Sequence, residues 1–423
     1  MRRGVIPLLA TCLLAGCAST VDIHKTELGL YHGDYVHALE QVQEESVSIE
    51  KRQGPIVRAL DVGIVQHYAG DYQGSNVSLT EAEAGIEKAF TKSVSRSAAS
   101  FVVNDNTKEY PGEDFEDIYI NIFKALNYAR LGEIADSMVE IRRSSEKQQV
   151  LLDLYSSYNQ EHDEKIAFTH SALGEWLGML FSQHLGNQND VQYYARRVAD
   201  AFDNEKDLYP FAMPQAATLQ SLEEGKTPVY LLAFTNIEPR KQEVRESIWM
   251  PSGNWMTVAV SELVARKSEV KQILVTVDGI PAGQMEILES LSRIAINTYL
   301  LKKSGIYAKA VLRATGKLVA TDVVDVAGHV AAASSSDDTG GAWLLADFAT
   351  LAANLAGNLS ERADVRMSHF FPGRAYIGSV DLSEGSHEII LTYMGENGVL
   401  KQERFFANVE PGRFYLMESF CLR

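Results

Sequence analysis

Apolar positions recur at helical spacing through residues 26–205, with few glycines or prolines to interrupt them. Ile118, Ile122, Leu126 and Ala129 fall at i, i+4, i+8 and i+11, one face of a helix, and Ala135, Met138, Val139 and Ile141 begin its partner. Further helices are predicted over 166–183, with Trp176, Leu177, Leu180 and Phe181 as apolar content, and over 191–204. The run Asn104-Asp105-Asn106-Thr107 to Pro111-Gly112-Glu113 is a loop by its turn residues, and Pro210 and Pro214 close the helical part.

From Thr227 the period changes. Residues 228–234 form an apolar run of strand length, with 243–250 as a candidate neighbour, and 270–277 is another strand, ended by Asp278-Gly279. Residues 286–303 read as a helix, because Ile287, Leu291, Ile294 and Thr298 share a face; 306–314 fits helix or strand. A small-residue segment over 328–341, centred on Ser334-Ser335-Ser336-Asp337-Asp338, precedes an apolar helix over 342–359. The close is β: strands over 376–382, 386–394, 399–407 and 413–422, joined at Ser383-Glu384-Gly385, Gly395-Glu396-Asn397-Gly398 and Glu410-Pro411-Gly412. Such regular turn spacing predicts an antiparallel meander within a sandwich.

Gly33-Asp34-Tyr35 returns as Gly70-Asp71-Tyr72, and more loosely as Leu131-Gly132-Glu133. In each, glycine ends one helix and the next begins, as in tetratricopeptide-type repeats, whose period is about 34 residues. The expected fold is therefore α+β and multidomain. A tetratricopeptide-like helical repeat domain spans 26–215, and an α+β domain ending in an antiparallel sheet or sandwich spans 226–423.

The start of the chain sets its expected place in the cell. Met1-Arg2-Arg3, the apolar stretch over 4–14 and Ala15-Gly16-Cys17 have the order of a secretory signal, too short for a permanent span. Leu14-Ala15-Gly16-Cys17 resembles the bacterial lipobox. That implies a signal over 1–16, a lipidated Cys17 and a tether over 17–25. Ala18, where an aspartate would favour the inner membrane, points to the outer membrane, facing the periplasm. Loss of Arg2 and Arg3 with the signal would make the chain two charges more acidic than its net −17. That balance disfavours nucleic acid and leaves acyl chains as the means of membrane attachment. With Cys12 in the signal and Cys17 lipidated, Cys421 stands alone, without an intramolecular disulfide.

The segments Gly112-Glu113-Asp114-Phe115-Glu116, Ala125-Leu126-Asn127-Tyr128 and Val139-Glu140-Ile141-Arg142-Arg143 resemble a family of uncharacterised bacterial lipoproteins. Ala363-Asp364-Val365-Arg366, followed by Pro372, is similar to that family's second signature. Where the family carries a Trp, this chain has Met367, Ser368 and His369. The resemblance implies a tetratricopeptide-like N-terminal half and a β-rich C-terminal half, with no agreed activity.

Motifs for catalysis are missing from the chain: no G-x-S-x-G, no G-x-x-x-x-G-K-[ST], no H-E-x-x-H and no cysteine pair at ligand spacing. His32 and His37 are off the i, i+4 face that helical metal ligation needs. No cofactor or metal is expected. Asp337-Asp338 fits a cation or an acidic loop. Glu140, Arg142 and Arg143 read either as a clamp for a carboxylate or as a helix end pairing with Glu113 or Glu116. Asn127 and Tyr128 suit reading of a peptide backbone in a repeat groove, or capping of a neighbouring loop. Asp364 and Arg366 are expected to pair and fix the turn into the last sheet.

These features favour a non-enzymatic, membrane-anchored scaffold or accessory factor for an envelope protein partner, its concave repeat face in contact. Two alternatives stand beside it: an oligomeric export component packed through the Ala/Gly/Ser-rich stretch over 326–359, and a cell-wall or polysaccharide hydrolase working through paired carboxylates.

Overall fold

The computed structural model describes residues 21–94, 110–162, 168–219, 223–249, 255–301 and 363–423. Cys17 and its signal, the loop over 104–109, Asp337-Asp338 and the elements expected over 306–314 and 342–359 lie outside them. The described fold is α+β, a helical N-terminal half followed by a sheet.

The helical half contains α1 (His24–His32), α2 (Tyr35–Gln53), α3 (Pro55–Tyr68), α4 (Tyr72–Val94), α5 (Asp114–Leu131), α6 (Ile134–His162), α7 (Ala172–His184) and α8 (Gln188–Asn204). Each packs against its neighbours in chain order. The same local chemistry makes the turns α1–α2, α3–α4, α5–α6 and α7–α8. Gly33, Gly70, Gly132 and Gly186 take φ of 77°, 81°, 82° and 74°, a left-handed conformation that costs glycine little. The next residue's N–H then reaches back to close the helix: Asp34 to Gly29 O, Asp71 to Gln66 O, Glu133 to Tyr128 O and Asn187 to Ser182 O, at 2.8–2.9 Å. This is the Schellman arrangement. Asp34, Asp71 and Asn187 also cap the following helix, accepting from the N–H of His37, Gly74 and Asp190. The turn at Gly186 shares this geometry, which the Gly-Asp-Tyr pattern did not reveal, because Asn187 replaces the acid and no aromatic follows.

The C-terminal half contains β1 (Lys226–Ile237), β2 (Arg240–Trp249), β3 (Trp255–Val264), β4 (Gln272–Val277), β5 (Ile280–Glu289), α9 (Leu291–Leu301), β6 (Pro372–Ser383), β7 (Gly385–Gly395), β8 (Gly398–Val409) and β9 (Leu416–Cys421). Seven strands form one sheet in the order β8-β7-β4-β5-β6-β1-β9, while β2 and β3 form a separate hairpin. All neighbours in the sheet are antiparallel except β1 and β9, which run parallel.

The last four strands exist as expected, but only β7 and β8 pair as in a meander. Strand β6 lies between β5 and β1, and β9 passes to the far edge beside β1. The sheet's inner face closes around a second core to which every strand contributes: Val229, Ile273, Met285, Leu382, Leu391, Ala407 and Met417 among others. The end strands meet through side chains. Lys401 Nζ donates to Phe420 O at 2.7 Å, and Ser419 Oγ donates to Glu403 Oε2 at 2.5 Å.

Strand β1 explains its own apolar run. Val229, Leu231 and Ala233 face the sheet's inner core, while Leu232 and Phe234 face the helices. With both faces buried, period two is hidden in the sequence. The 243–250 segment does not join β1; β2 pairs with β3, Val244 opposite Val260. The helix expected over 286–303 is shortened at its start. Glu286 and Ile287 stay paired with Ile377 and Tyr376 of β6, and α9 begins only after Ser290. Tertiary pairing here outweighs the helical spacing of Ile287 and Leu291.

One apolar core spans both halves. Phe123 of α5 stacks on Phe234 of β1 (centroids 5.4 Å apart) and meets Phe371 edge-on at 5.7 Å. Phe420 of β9 meets Tyr68 of α3 at 4.8 Å. Burial of each such ring contributes roughly 1.5–3 kcal/mol. The helical face that packs inward is thus filled by the chain's own sheet.

Candidate functional site

The densest chemistry lies at the seam between helices and sheet. There the irregular segment 363–371 leads into β6 between α3, α5 and the start of β2. Its backbone amides have no ladder, so side-chain carboxylates serve them. Glu116 Oε1 accepts from Ser368 N at 2.7 Å; its Oε2 accepts from the Glu113 N–H and the Tyr110 hydroxyl, both at 2.7 Å. Glu238 accepts from Phe371 N at 3.0 Å and from the Ser368 hydroxyl. Asp61, fully buried on α3, accepts from His369 N at 2.8 Å and His369 Nδ1 at 2.7 Å. Tyr68 donates to Phe370 O at 2.8 Å. Burial pushes the Glu116 and Glu238 carboxyls upward, Glu238 the further, and Glu113 and Glu116 respectively add to the rise.

The Asp364–Arg366 pair is formed, with Arg366 Nη2 2.8 Å from Asp364 Oδ2 and Nε 2.9 Å from Oδ1. The guanidinium lies over the Tyr110 ring, 5.6 Å from its centroid. Burial raises the Asp364 carboxyl, but Arg366 outweighs it and holds it below its ordinary value. Lys241 of β2 binds Glu113 and reaches Arg366 O at 3.3 Å, so the turn is tied to α5 and to β2 together.

Two further junctions use the same device. His67 of α3 contacts Asn127 Oδ1 at 2.6 Å through Nδ1 and Glu418 Oε1 of β9 at 3.0 Å through Nε2. Glu289, at the end of β5, accepts from Tyr119, Ser171 (2.8 Å), Tyr209 (2.7 Å) and the Leu173 N–H (3.3 Å). Burial raises its carboxyl against those four donors.

The residues expected to face a partner divide. Asn127 is fully buried, and its amide nitrogen donates to Ser75 Oγ and Asn76 Oδ1, both at 2.9 Å. It links α3, α4 and α5 and does not face a groove. Tyr128 is half-buried. Glu140 is 5% exposed, accepting from Asn121 at 2.6 Å and pairing with Lys124 at 3.1 Å. Arg142 and Arg143 do not end a helix, because α6 continues to His162, and they do not pair with Glu113 or Glu116. Arg142 reaches Asp190 of α8 at 3.4 Å, and Arg143 lies 3.5 Å from Glu83 of α4; their side chains are 58% and 48% exposed. Both arginines are thus on the outer crest of α6.

Glu83 is the centre of a network the sequence did not suggest. It accepts from Asn121 (2.8 Å), Lys124 (2.8 Å) and Lys147 (2.9 Å). Burial raises its carboxyl, but Lys147 and Lys124 more than offset that and bring it to about 2. Spacing within any one helix could not reveal this group, whose members come from α4, α5 and α6.

Among the described residues, no group of three or more His, Cys, Asp or Glu is arranged to hold a metal, and no helix is long and apolar enough to cross a membrane. No protein-family model matches the chain, and no curated protein or solved structure shows significant similarity to it.

Proposed function

We propose that this chain is a lipid-anchored protein of the bacterial outer membrane, facing the periplasm, that serves as a non-enzymatic scaffold for an envelope protein partner. Its likeness to a tetratricopeptide-like lipoprotein family belongs to the same reading. The lipobox-like Leu14-Ala15-Gly16-Cys17 ahead of α1 supports the anchor. The observation that carries the partner surface is the division of the helical half into a filled inner face and an open outer crest. Asn127 and Glu140 are spent inside. Arg142, Arg143, Val139 (49% exposed) and Tyr193 (46% exposed) remain outside, along α6 and α8. Arg197 lies over the Tyr193 ring at 5.3 Å, holding that aromatic in place. Exposed Tyr and Arg side chains of this kind dominate binding energy at protein interfaces.

A photo-crosslinker at Val139 or Tyr193, in the native host, tests the surface. A discrete envelope protein is expected, captured at least tenfold less with Arg142→Glu. The same products from Gln402 on β8, or none, would sink the reading. Cys17→Ala is expected to release the chain from the membrane fraction; unchanged retention would remove the anchor.

A further inference from the structure

Outside the seam, a small open cleft lies between α7, the turn after Gln215 and the outer face of the β1–β6 pair. Met179 and Leu180 come from α7, and Pro228 and Tyr230 from β1. Register sets the rest: Asp381 pairs with Pro228 and Ser379 with Tyr230, so all four project to the same side of the sheet. The Trp176 indole donates to Ala216 O at 3.0 Å and holds the turn as the third wall. Tyr230 donates to Gln183 Oε1 at 3.2 Å, which keeps the aromatic wall upright.

The cleft has one acidic group without a direct partner. Among the described residues no side-chain hydrogen bond or ion pair holds the Asp381 carboxylate; Lys226, which attracts it from farther off, is paired with Glu223. Burial, and then Glu223, push the Asp381 carboxyl above its ordinary value, and the attraction of Lys226 offsets only part of this. An apolar trough with a single acidic group selects a ligand of matching build.

We propose that this cleft binds a primary ammonium carried on an aliphatic stem, with the Asp381 carboxylate taking the charge and Met179, Leu180 and Pro228 taking the methylenes. The ammonium has three donors, enough to engage Asp381 and the Ser379 hydroxyl together. Lysine stems lie along apolar surface in this way while their heads stay hydrated. Because Asp381 is partly exposed, binding is weak and falls as salt rises. The proposal is independent of the α6–α8 crest.

Two probes separate the sources of such a group: n-butylammonium for a free amine, and Nα-acetyl-lysine methylamide for a lysyl side chain. Each is titrated into the intact chain while the backbone and methyl resonances of Leu180 and Ser379 are followed. Saturable shifts are expected, with n-butanol giving none. Asp381→Asn is expected to weaken binding at least tenfold, and Thr218→Trp, a bulky change at a lining position outside the strands, to weaken it likewise. Saturation by both probes marks a site for the amine itself; saturation by the lysyl probe alone marks a protein side chain as ligand. Equal binding by wild type and Asp381→Asn, or no saturation by either probe, would overturn the proposal.

Discussion

Nε2 of His67 lies 3.0 Å from Oε1 of Glu418, in a setting where both side chains are nearly or fully shut off from solvent. Asn127 Oδ1 accepts from Nδ1, because its amide nitrogen is already donating elsewhere. The His67 ring therefore bridges α3, α5 and β9, with Nδ1 toward Asn127 and Nε2 toward Glu418. Rings of Tyr68, Tyr72, Phe123 and Phe420 surround the imidazole. An arrangement so enclosed joins helix to strand.

Removing one partner of this pair is expected to be costly. His67→Ala leaves Glu418 buried and alone, at about 3–5 kcal/mol. The double variant His67→Phe with Glu418→Leu is expected to lose less than either single change, since no charge is stranded. Urea unfolding of the three variants measures this; additive losses would contradict it.

Two carboxylates predict opposite pH limbs. Glu83, held near 2 in the native state, contributes stability above its ordinary value and loses it as pH falls toward about 2. Glu238, raised by burial, keeps its proton in the native state where the unfolded chain has lost it. Its contribution is complete below the ordinary carboxylate range and declines as pH rises through the raised native value. Stability measured by denaturant across pH is expected to fall at both ends. Glu83→Gln flattens the acid limb, and Glu238→Gln flattens the other. Unchanged profiles would remove these assignments.

Glycines act here in two distinct ways. At Gly132 nothing lies within 4 Å of an added Cβ, so Gly132→Ala meets only backbone strain, about 1–2 kcal/mol. Asparagine, which tolerates the left-handed region, is expected to cost less. At Gly178 the new Cβ would sit 2.8 Å from the Tyr194 ring, and Gly178→Ala must part α7 from α8, at about 1–3 kcal/mol. Tyr194→Leu is expected to rescue much of the second loss and none of the first, as read by thermal unfolding.

Cys421 is buried on β9, and burial pushes its thiol up to about 11. In a Cys12→Ser, Cys17→Ser chain, a disulfide reagent at pH 8 is expected to label it only as fast as the fold opens. Denaturant restores full reactivity. Rapid labelling of the native chain would contradict this.

Local patterns carried much of the architecture. The helical half, its turns at Gly33, Gly70 and Gly132, and the existence of the last four strands were legible, because glycine conformation, caps and apolar period act over a few residues. Strand β3 and the start of β5 were not. Residues 280–284 are exposed, so they lack the alternation that marks a half-buried strand. Glu140 was visible as a charged group but not as a buried one; its partners Asn121 and Lys124 sit on another helix.

By itself, the order of residues determined most of the helices and the last four strands, where the helical chain reverses, and how acidic the molecule is. Those depend on neighbours along the chain. Only tertiary structure decided that β9 lies parallel to β1, that β8 and β9 meet through side chains, and which acids are buried. His67 and Glu418 are 351 residues apart, and Glu116 and Ser368 are 252 apart. No local spacing encodes such meetings: they follow from the shared burial of two apolar faces, and the carboxylates between them must then find donors wherever the chain brings them.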